Sequence, residues 1–325
     1  MLISAISSQL PPAEGRMDLQ RFESFDAYAD AIFDADARVF LLGSRDGGWE
    51  IGHLDVDGID VQRGIAAVPN LCEGVGWPSH LTLLLSQPSP SPTWLNGVPF
   101  NQGSLGVLAP GKGFVFRAAG PNEWITIAVP VCSELFVGGS AVAQTLRQWA
   151  RVADIVSADH LQLAALREAA FLSMAPACPP AIGRRLLEQR LSDLIAGRSP
   201  SRRGKGRPGS PMPLLCEAAL TVFRKQGQAL DLDGLCKGLR ISLRSLRDFS
   251  QACFGMAPGH YLCLRKLHDV YLDLSNSTGR RTTVADCFLR HGYPYSTYAA
   301  ARYHAVFLET PSETRHRCGP QEPRS

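Results

Sequence analysis

Apolar residues keep three different rhythms along this chain. Between residues 20 and 130 they come in short runs, Val39–Leu42, Trp49–Leu54, Leu81–Leu85, Leu105–Leu108, Phe114–Arg117 and Trp124–Val129, separated by Gly and Pro. Short apolar runs bounded by turn residues predict strands. Asn96-Gly97, lying between Trp94-Leu95 and Val98-Pro99-Phe100, marks a hairpin because both residues tolerate positive φ. Many short strands of this kind predict a barrel or sandwich over 20–135.

From about 139 the period lengthens to that of a helix. Val142, Leu146, Trp149 and Ala153 share one stripe, and Ile182, Leu186, Leu187, Leu191, Leu194 and Ile195 share another that stops at Gly197. The stretch 136–197 therefore reads as helical, its helices either pairing two chains into a homodimer or packing onto the strands. Arg202, Arg203, Lys205 and Arg207 then stand among Gly, Ser and Pro, which marks 198–212 as a flexible basic linker. Residues 1–19 read as a disordered start and 317–325 as a tail.

The third rhythm, over 213–316, contains one pattern twice. Leu235-Cys236-Lys237-Gly238-Leu239-Arg240-Ile241-Ser242-Leu243-Arg244-Ser245-Leu246 reads as a helix, a tight turn and a second helix opened by a small hydroxyl residue. Cys287-Phe288-Leu289-Arg290-His291-Gly292-Tyr293, followed by Ser296-Thr297, repeats it 54 positions later. In a helix-turn-helix of this form the second helix enters the DNA major groove, so two copies imply two groove segments. A long helix joins them. It opens at Pro258, suited to a first helical turn, carries Tyr261, Leu264, Leu267, Val270, Tyr271 and Leu274 at steps of three and four, and ends at the turn-rich Asn276-Ser277-Thr278-Gly279.

Gly255-Met256-Ala257-Pro258, Tyr261-Leu262, Lys266-Leu267, Val284-Ala285-Asp286, Leu289-Arg290, Gly292-Tyr293, Tyr303, Phe307 and Pro311-Ser312-Glu313-Thr314 together resemble the AraC/XylS family of bacterial transcription regulators. The resemblance spans about a third of the chain. It implies a multidomain fold, with a β-rich cupin-like N-terminal barrel and helical extension followed by an all-α C-terminal domain with two helix-turn-helix motifs. Leu108-Ala109-Pro110-Gly111 is similar to a turn in such barrels. The resemblance also implies that Ser242, Arg244, Arg247, Asp248 and Gln251 of the first copy, and Ser296, Thr297, Tyr298 and Ala300 of the second, face DNA. Arg244 and Arg247 suit guanine edges or phosphates, whereas the second copy shows no exposed Arg and is expected to position more than it specifies. Departures from the family pattern are Ser250 with Phe249 one place early, Ala299 preceded by Tyr298, Phe288 at a usually small position and Leu308 at a usual Gly. One helical step rotates a side chain by about a quarter turn, so these aromatics must lean into the core or be compensated.

Charge points the same way. Residues 198–325 hold 20 Lys and Arg against 10 Asp and Glu, and residues 1–197 hold 13 against 20, so a net charge of +3 conceals a basic C-terminal part and an acidic N-terminal one. A basic face attracts duplex DNA through counterion release. Residues 205–325 alone are accordingly expected to bind it.

Nine cysteines are scattered without a CxxC pair, which suits reduced thiols in a cytoplasmic, nucleoid-associated protein, and none has an evident resolving partner. His53, His80 and His160 form no His-x-His, so neither a metal, another cofactor nor a catalytic constellation is expected. No apolar run reaches membrane-spanning length, and no membrane partner is expected. The expected partners are double-stranded DNA, a small organic effector in the strand-rich part and, for an activator, RNA polymerase. Trp49, Trp77, Trp94, Phe114, Phe116 and Arg117 are candidates for lining an effector pocket, or for filling the core. Two rival classes remain: a barrel enzyme, and an interaction or dimerisation protein whose second helix-turn-helix no longer reads DNA.

Overall fold

The computed structural model describes residues 19–33, 35–43, 47–152, 154–197, 212–226, 231–276 and 283–318. The expected disordered start up to 18, the linker over 198–211, the break at Ser277-Thr278-Gly279 and the tail from 319 lie outside them.

The strand-rich part runs β1 (Gln20–Phe22), α1 (Phe25–Asp30), β2 (Ala35–Leu41), β3 (Trp49–Asp55), β4 (Asp60–Ala66), β5 (Asn70–Gly76), β6 (His80–Ser86), β7 (Thr93–Leu95), β8 (Val98–Phe100), β9 (Ser104–Leu108), β10 (Gly113–Ala118) and β11 (Asn122–Pro130). Helices α2 (Glu134–Val137), α3 (Ala141–Val152), α4 (His160–Ser173) and α5 (Pro180–Ala196) follow, with β12 (Ile155–Ser157) between α3 and α4. The strands form two antiparallel sheets, one ordered β1-β3-β4-β11-β6-β9-β12 and the other β2-β5-β10-β7-β8. β12 lies inside the stretch that reads as helical, where Ile155 and Val156 pair with Gly106 and Leu105 of β9. β4 escapes the apolar-run pattern because Gln62 and Arg63 interrupt it. Gln62 is nevertheless buried, accepting from Phe33 N and donating to Ala31 O beyond the end of α1.

Alternation along the strands stacks four layers. Leu81, Leu83 and Leu85 of β6 and Ile125 and Ile127 of β11 face α3, α4 and α5, where Leu146, Leu163, Leu166, Leu187 and Leu191 complete a core. Leu84, Leu95, Phe100, Leu108, Phe114 and Phe116 fill the space between the sheets. On the outer side of the second sheet, Phe40, Leu71 and Val115 belong to a core shared with the C-terminal helices. Truncating a fully buried leucine such as Leu166 in a packed layer of this kind costs about 2–5 kcal/mol.

The C-terminal helices are α6 (Met212–Gln226), α7 (Leu232–Leu239), α8 (Leu243–Phe254), α9 (Pro258–Asn276), α10 (Val284–Arg290), α11 (Thr297–Phe307) and α12 (Pro311–Cys318). The Asn96-Gly97 turn between β7 and β8 has positive φ at both residues, as its sequence requires. It presses so closely on α6 and α8 that a Cβ at Gly97 would collide with Met212 and the Cys253 sulfur. Beneath it, folding supplies the thiol partner that sequence spacing lacks: Cys216 and Cys253, both buried, stand Sγ to Sγ at 2.7 Å. No helix among the described residues is long and apolar enough to cross a membrane.

Candidate nucleic-acid interface

The first helix-turn-helix is α7 and α8. Asp231 caps α7 through Gly234 N, and the turn is made by Arg240 in the left-handed conformation. Ser242 then caps α8 by accepting from Ser245 N at 3.1 Å, satisfying one of the free N–H groups of the first turn. Leu246, Phe249, Cys253 and Phe254 turn inward, leaving Ser242, Arg244, Arg247, Asp248 and Gln251 exposed along one side. The two departures in this helix are both accommodated indoors. Phe249 packs edge-on to Phe254, with ring centroids 5.5 Å apart, and the buried Ser250 hydroxyl donates to Met256 O at 2.7 Å.

The second unit is α10 and α11. Thr283 and Asp286 form a reciprocal capping box that holds the Asp286 carboxyl below its ordinary range. Ser296 caps α11 through Ala299 N at 3.1 Å. Ala299, Tyr303 and Phe307 point inward, while Ser296, Thr297 and Tyr298 are exposed and Ala300 is half-buried. Ala299 and Phe288 belong to one buried core. Leu308 ends α11 at φ 54°, a conformation glycine adopts without strain.

One half-buried residue of this helix lies outside the expected set. Arg302 lies on its half-exposed side, with its guanidinium 5.8 Å from the Tyr298 ring and Nη1 donating to the Tyr298 hydroxyl at 3.2 Å. The second helix thus carries a half-buried Arg next to Tyr298, and no fully exposed one. Its position two turns inside the helix, away from the Ser-Thr start, hid it from motif reading.

α9 holds both units. Asp273 accepts from Arg290 at 2.7 Å and from His291 at 3.2 Å, and Lys266 donates to Gly292 O at 3.1 Å, tying the second turn to the helix. Arg290 is thus engaged within the fold. The strand-rich part grips α9 from the other side: Arg38 pairs with Asp269, Arg265 pairs with Glu73, and His268 Nε2 accepts from Leu41 N at 3.3 Å. Between them lies a cleft of about 320 Å³, lined by Asp36, Arg38, Glu73, Arg224, Arg265 and Asp269 among others.

The candidate effector residues scatter. Phe114 and Phe116 face a cavity of about 50 Å³ between the sheets, together with Trp124 and Thr126, which run-and-turn reading did not single out as lining. Trp49 is buried against Tyr28, and Trp77 packs on Phe33. Trp94 lies beneath Arg117, whose guanidinium is 3.4 Å from the ring centroid on the side away from that cavity. His53 hydrogen-bonds Asp60 at 2.9 Å, His80 lies 3.5 Å from the same carboxylate and hydrogen-bonds Ser79, and His160 bonds Gln102. Among the described residues no set of three His, Cys, Asp or Glu side chains is arranged to hold a metal ion.

No protein-family profile matches the chain. Its fold is similar to that of the AraC-like transcriptional activator CuxR, at 13% identity and a TM-score of 0.41 over 79% of this chain and 96% of that one. It is also similar to ToxT from Vibrio cholerae, at 11% identity and a TM-score of 0.29 over 87% of this chain and 98% of that one. A cupin-2 domain protein from Rhodospirillum rubrum matches 43% of this chain and 98% of its own, at 12% identity and a TM-score of 0.22. A β-rich N-terminal half followed by a helical C-terminal half with two helix-turn-helix units is the architecture of this chain.

Proposed function

We propose that the chain is a sequence-specific transcription regulator, an activator, whose two helix-turn-helix units read adjacent major-groove segments of one duplex. A small organic effector bound by the N-terminal domain controls it. The observation that carries this reading is the pair of serine-capped helices, α8 and α11, each with its polar side open to solvent and both anchored to one rigid connector. α9 has 19 residues, hence a length of about 28 Å, close to the ~34 Å that separates successive major-groove faces along a duplex. The excess of Lys and Arg over 198–325 supports the same reading, because phosphate contacts supply much of the affinity.

In this reading Arg244 and Arg247 fork to guanine or reach phosphate, Asp248 and Gln251 accept from or pair with neighbouring base edges, and Ser296 and Thr297 hold phosphate. Tyr298 and Ala300 present apolar surface to thymine methyls, with Arg302 beside them. The working divisions are a sensor domain over 20–135, a helical region over 136–197, a linker over 198–212 and a DNA-binding domain over 213–316. RNA polymerase is the partner an activator needs, and the exposed Leu161, Leu172 and Ile182 of α4 and α5 offer a face for a homodimer. Such a protein works in the cytoplasm at the nucleoid and performs no catalysis.

The full chain, tested by gel mobility shift on DNA upstream of its own and adjacent genes, is expected to retard a specific fragment, with binding falling steeply as salt rises. Absence of any retardation at low salt sinks the reading. Leu289 and Tyr298, 68% and 67% exposed on the second unit, favour one rival in which that unit docks a protein. A footprint confined to a single groove segment would mark it.

A further inference from the structure

The cavity between the sheets is selective about what it can hold. None of the side chains facing it carries a charge; most are apolar, among them Val39, Leu84, Leu108, Phe114 and Phe116. Burial keeps its acidic groups protonated as well. The Tyr28 phenol is raised far above its ordinary range, and the Cys72 thiol is pushed up to about 12, in both cases first by loss of solvent. Tyr28 and Trp124 satisfy each other, the indole N–H donating to the phenol oxygen at 3.0 Å. One group on the wall is left over. Thr126 lies on β11 on the same side as Trp124, opposite to Ile125 and Ile127, and its hydroxyl is buried with no hydrogen-bond partner among the described residues.

A buried hydroxyl without a partner calls for an explanation, and Thr126 lines a space that can hold a molecule able to bond it. A carboxylate or ammonium ligand would lose its hydration here with no countercharge to replace it. A polyol would bring several hydroxyls to a wall that offers few partners. Size narrows the choice further, since one water needs about 10–15 Å³ and the cavity offers about 50 Å³, room for a few heavy atoms. We propose that this cavity binds a small uncharged, mainly apolar molecule bearing a single hydroxyl or carbonyl oxygen, which pairs with the Thr126 hydroxyl. The proposal rests on the reading of the N-terminal domain as an effector sensor and specifies the chemical class of that effector.

Saturation-transfer NMR on the full chain tests it with four probes built on the same four-carbon chain: 2-butanol, butyrate, sec-butylammonium and erythritol. 2-Butanol is expected to bind, and the two ions and the tetrol to bind at least about tenfold more weakly. Thr126→Val, which keeps the shape and removes the hydroxyl, is expected to weaken 2-butanol about fivefold, the scale of one ordinary hydrogen bond. Cys72→Leu, which keeps Thr126 but extends into the cavity, is expected to abolish the signal, with unchanged amide dispersion verifying that both variants fold. Equal or tighter binding of a charged or polyhydroxylated probe overturns the proposal, and so does no binding at all or binding indifferent to both substitutions. The sensor reading fails separately: a variant-sensitive 2-butanol site that leaves reporter transcription unchanged upholds the ligand class and removes the sensor role. A charged molecule that occupies the cavity and switches transcription does the reverse.

Discussion

Arg265 on α9 donates to one carboxylate oxygen of Glu73 on β5, and Tyr261, one turn earlier on the same helix, donates to the other. The Glu73 side chain is 7% exposed and that of Arg265 15%, so the pair is largely cut off from water at the junction of the two halves. A buried pair of this kind is costly to break from one side, because the surviving charge stays desolvated.

Glu73→Ala is therefore expected to destabilise the full chain by about 3 kcal/mol or more, read as a lower urea midpoint. Glu73→Leu combined with Arg265→Met is expected to recover most of the loss. A single substitution as mild as the double would place the pair in effective contact with solvent.

His268 makes the same junction sensitive to acid. Burial, then the neighbouring Arg38 and Arg265 charges, hold its imidazole well below the ordinary value of 6.5, and Nε2 serves as acceptor for Leu41 N. Below pH 6.5 the unfolded chain takes up a proton that the folded chain refuses. Stability is thus intact above that pH and falls as pH drops, by up to about 1.4 kcal/mol per unit. Thermal melts between pH 7.5 and 5 are expected to show this slope, and His268→Phe, set among Phe25, Phe40 and Phe307, to flatten it. An equal slope in both proteins would remove His268 from the account.

The two cores at the junction also revise what an isolated C-terminal fragment is expected to do. Phe40, Leu71 and Val115 of the strand-rich half pack with Phe223, Leu246 and Phe254, and Phe25 stacks on Phe307 at 6.1 Å and lies tilted against Tyr271 at 5.0 Å. Cutting the chain at 205 strips apolar partners from both helix-turn-helix units at once. Residues 205–325 alone are now expected to bind a hydrophobic dye and to melt without a sharp transition, whereas the full chain melts cooperatively. A fragment with a sharp melt and dispersed amide spectrum would restore the sequence-based expectation of an autonomous reader.

Local signals were readable wherever one residue type forces one conformation. Asn96-Gly97, Pro258 and the serines 242 and 296 announced the hairpin, the connector and both capped helices. What escaped depends on residues far apart in sequence. β4 and β5 carry Gln62 and Glu73 at positions that are buried only because α1 and α9 supply their partners. Arg302 acquires its setting from Tyr298, and Cys216 acquires a sulfur neighbour from across 37 positions. The aromatic candidates for the effector site divided for the same reason. Strand alternation sends Phe114 and Phe116 inward and Arg117 outward to Trp94, and only the register of the second sheet fixes which face is which.

Base readout separates the arginines. Arg247→Ala is expected to cost about 1–3 kcal/mol on the preferred site and to relax discrimination at one base pair, because its side chain is exposed on α8. Arg302→Ala is expected to lower affinity evenly across sequences and reduce the salt slope by about one, since its guanidinium is already steered by the Tyr298 hydroxyl. Thr297→Ala is expected to do less than either. Competition binding over operator variants distinguishes these patterns, and loss of base preference on Arg302→Ala would move it among the specifying residues.

The last prediction follows from the two faces of β5 and β10. Cys72 and Phe116, paired in register, face the cavity, whereas Glu73 and Val115, also paired, face α9 and the first helix-turn-helix. A ligand that enlarges the cavity must displace the strands that carry Glu73, and a displaced Glu73 alters the grip on Arg265 and Tyr261. If occupancy of the cavity changes operator affinity by some factor, operator DNA must change ligand affinity by the same factor. Titrating 2-butanol with and without a saturating operator duplex, and the operator with and without 2-butanol, is expected to return matching ratios different from one. Glu73→Gln is expected to bring both ratios toward one. Ratios of one in the unsubstituted chain would mean that the sheet does not couple its two faces, whatever the cavity binds.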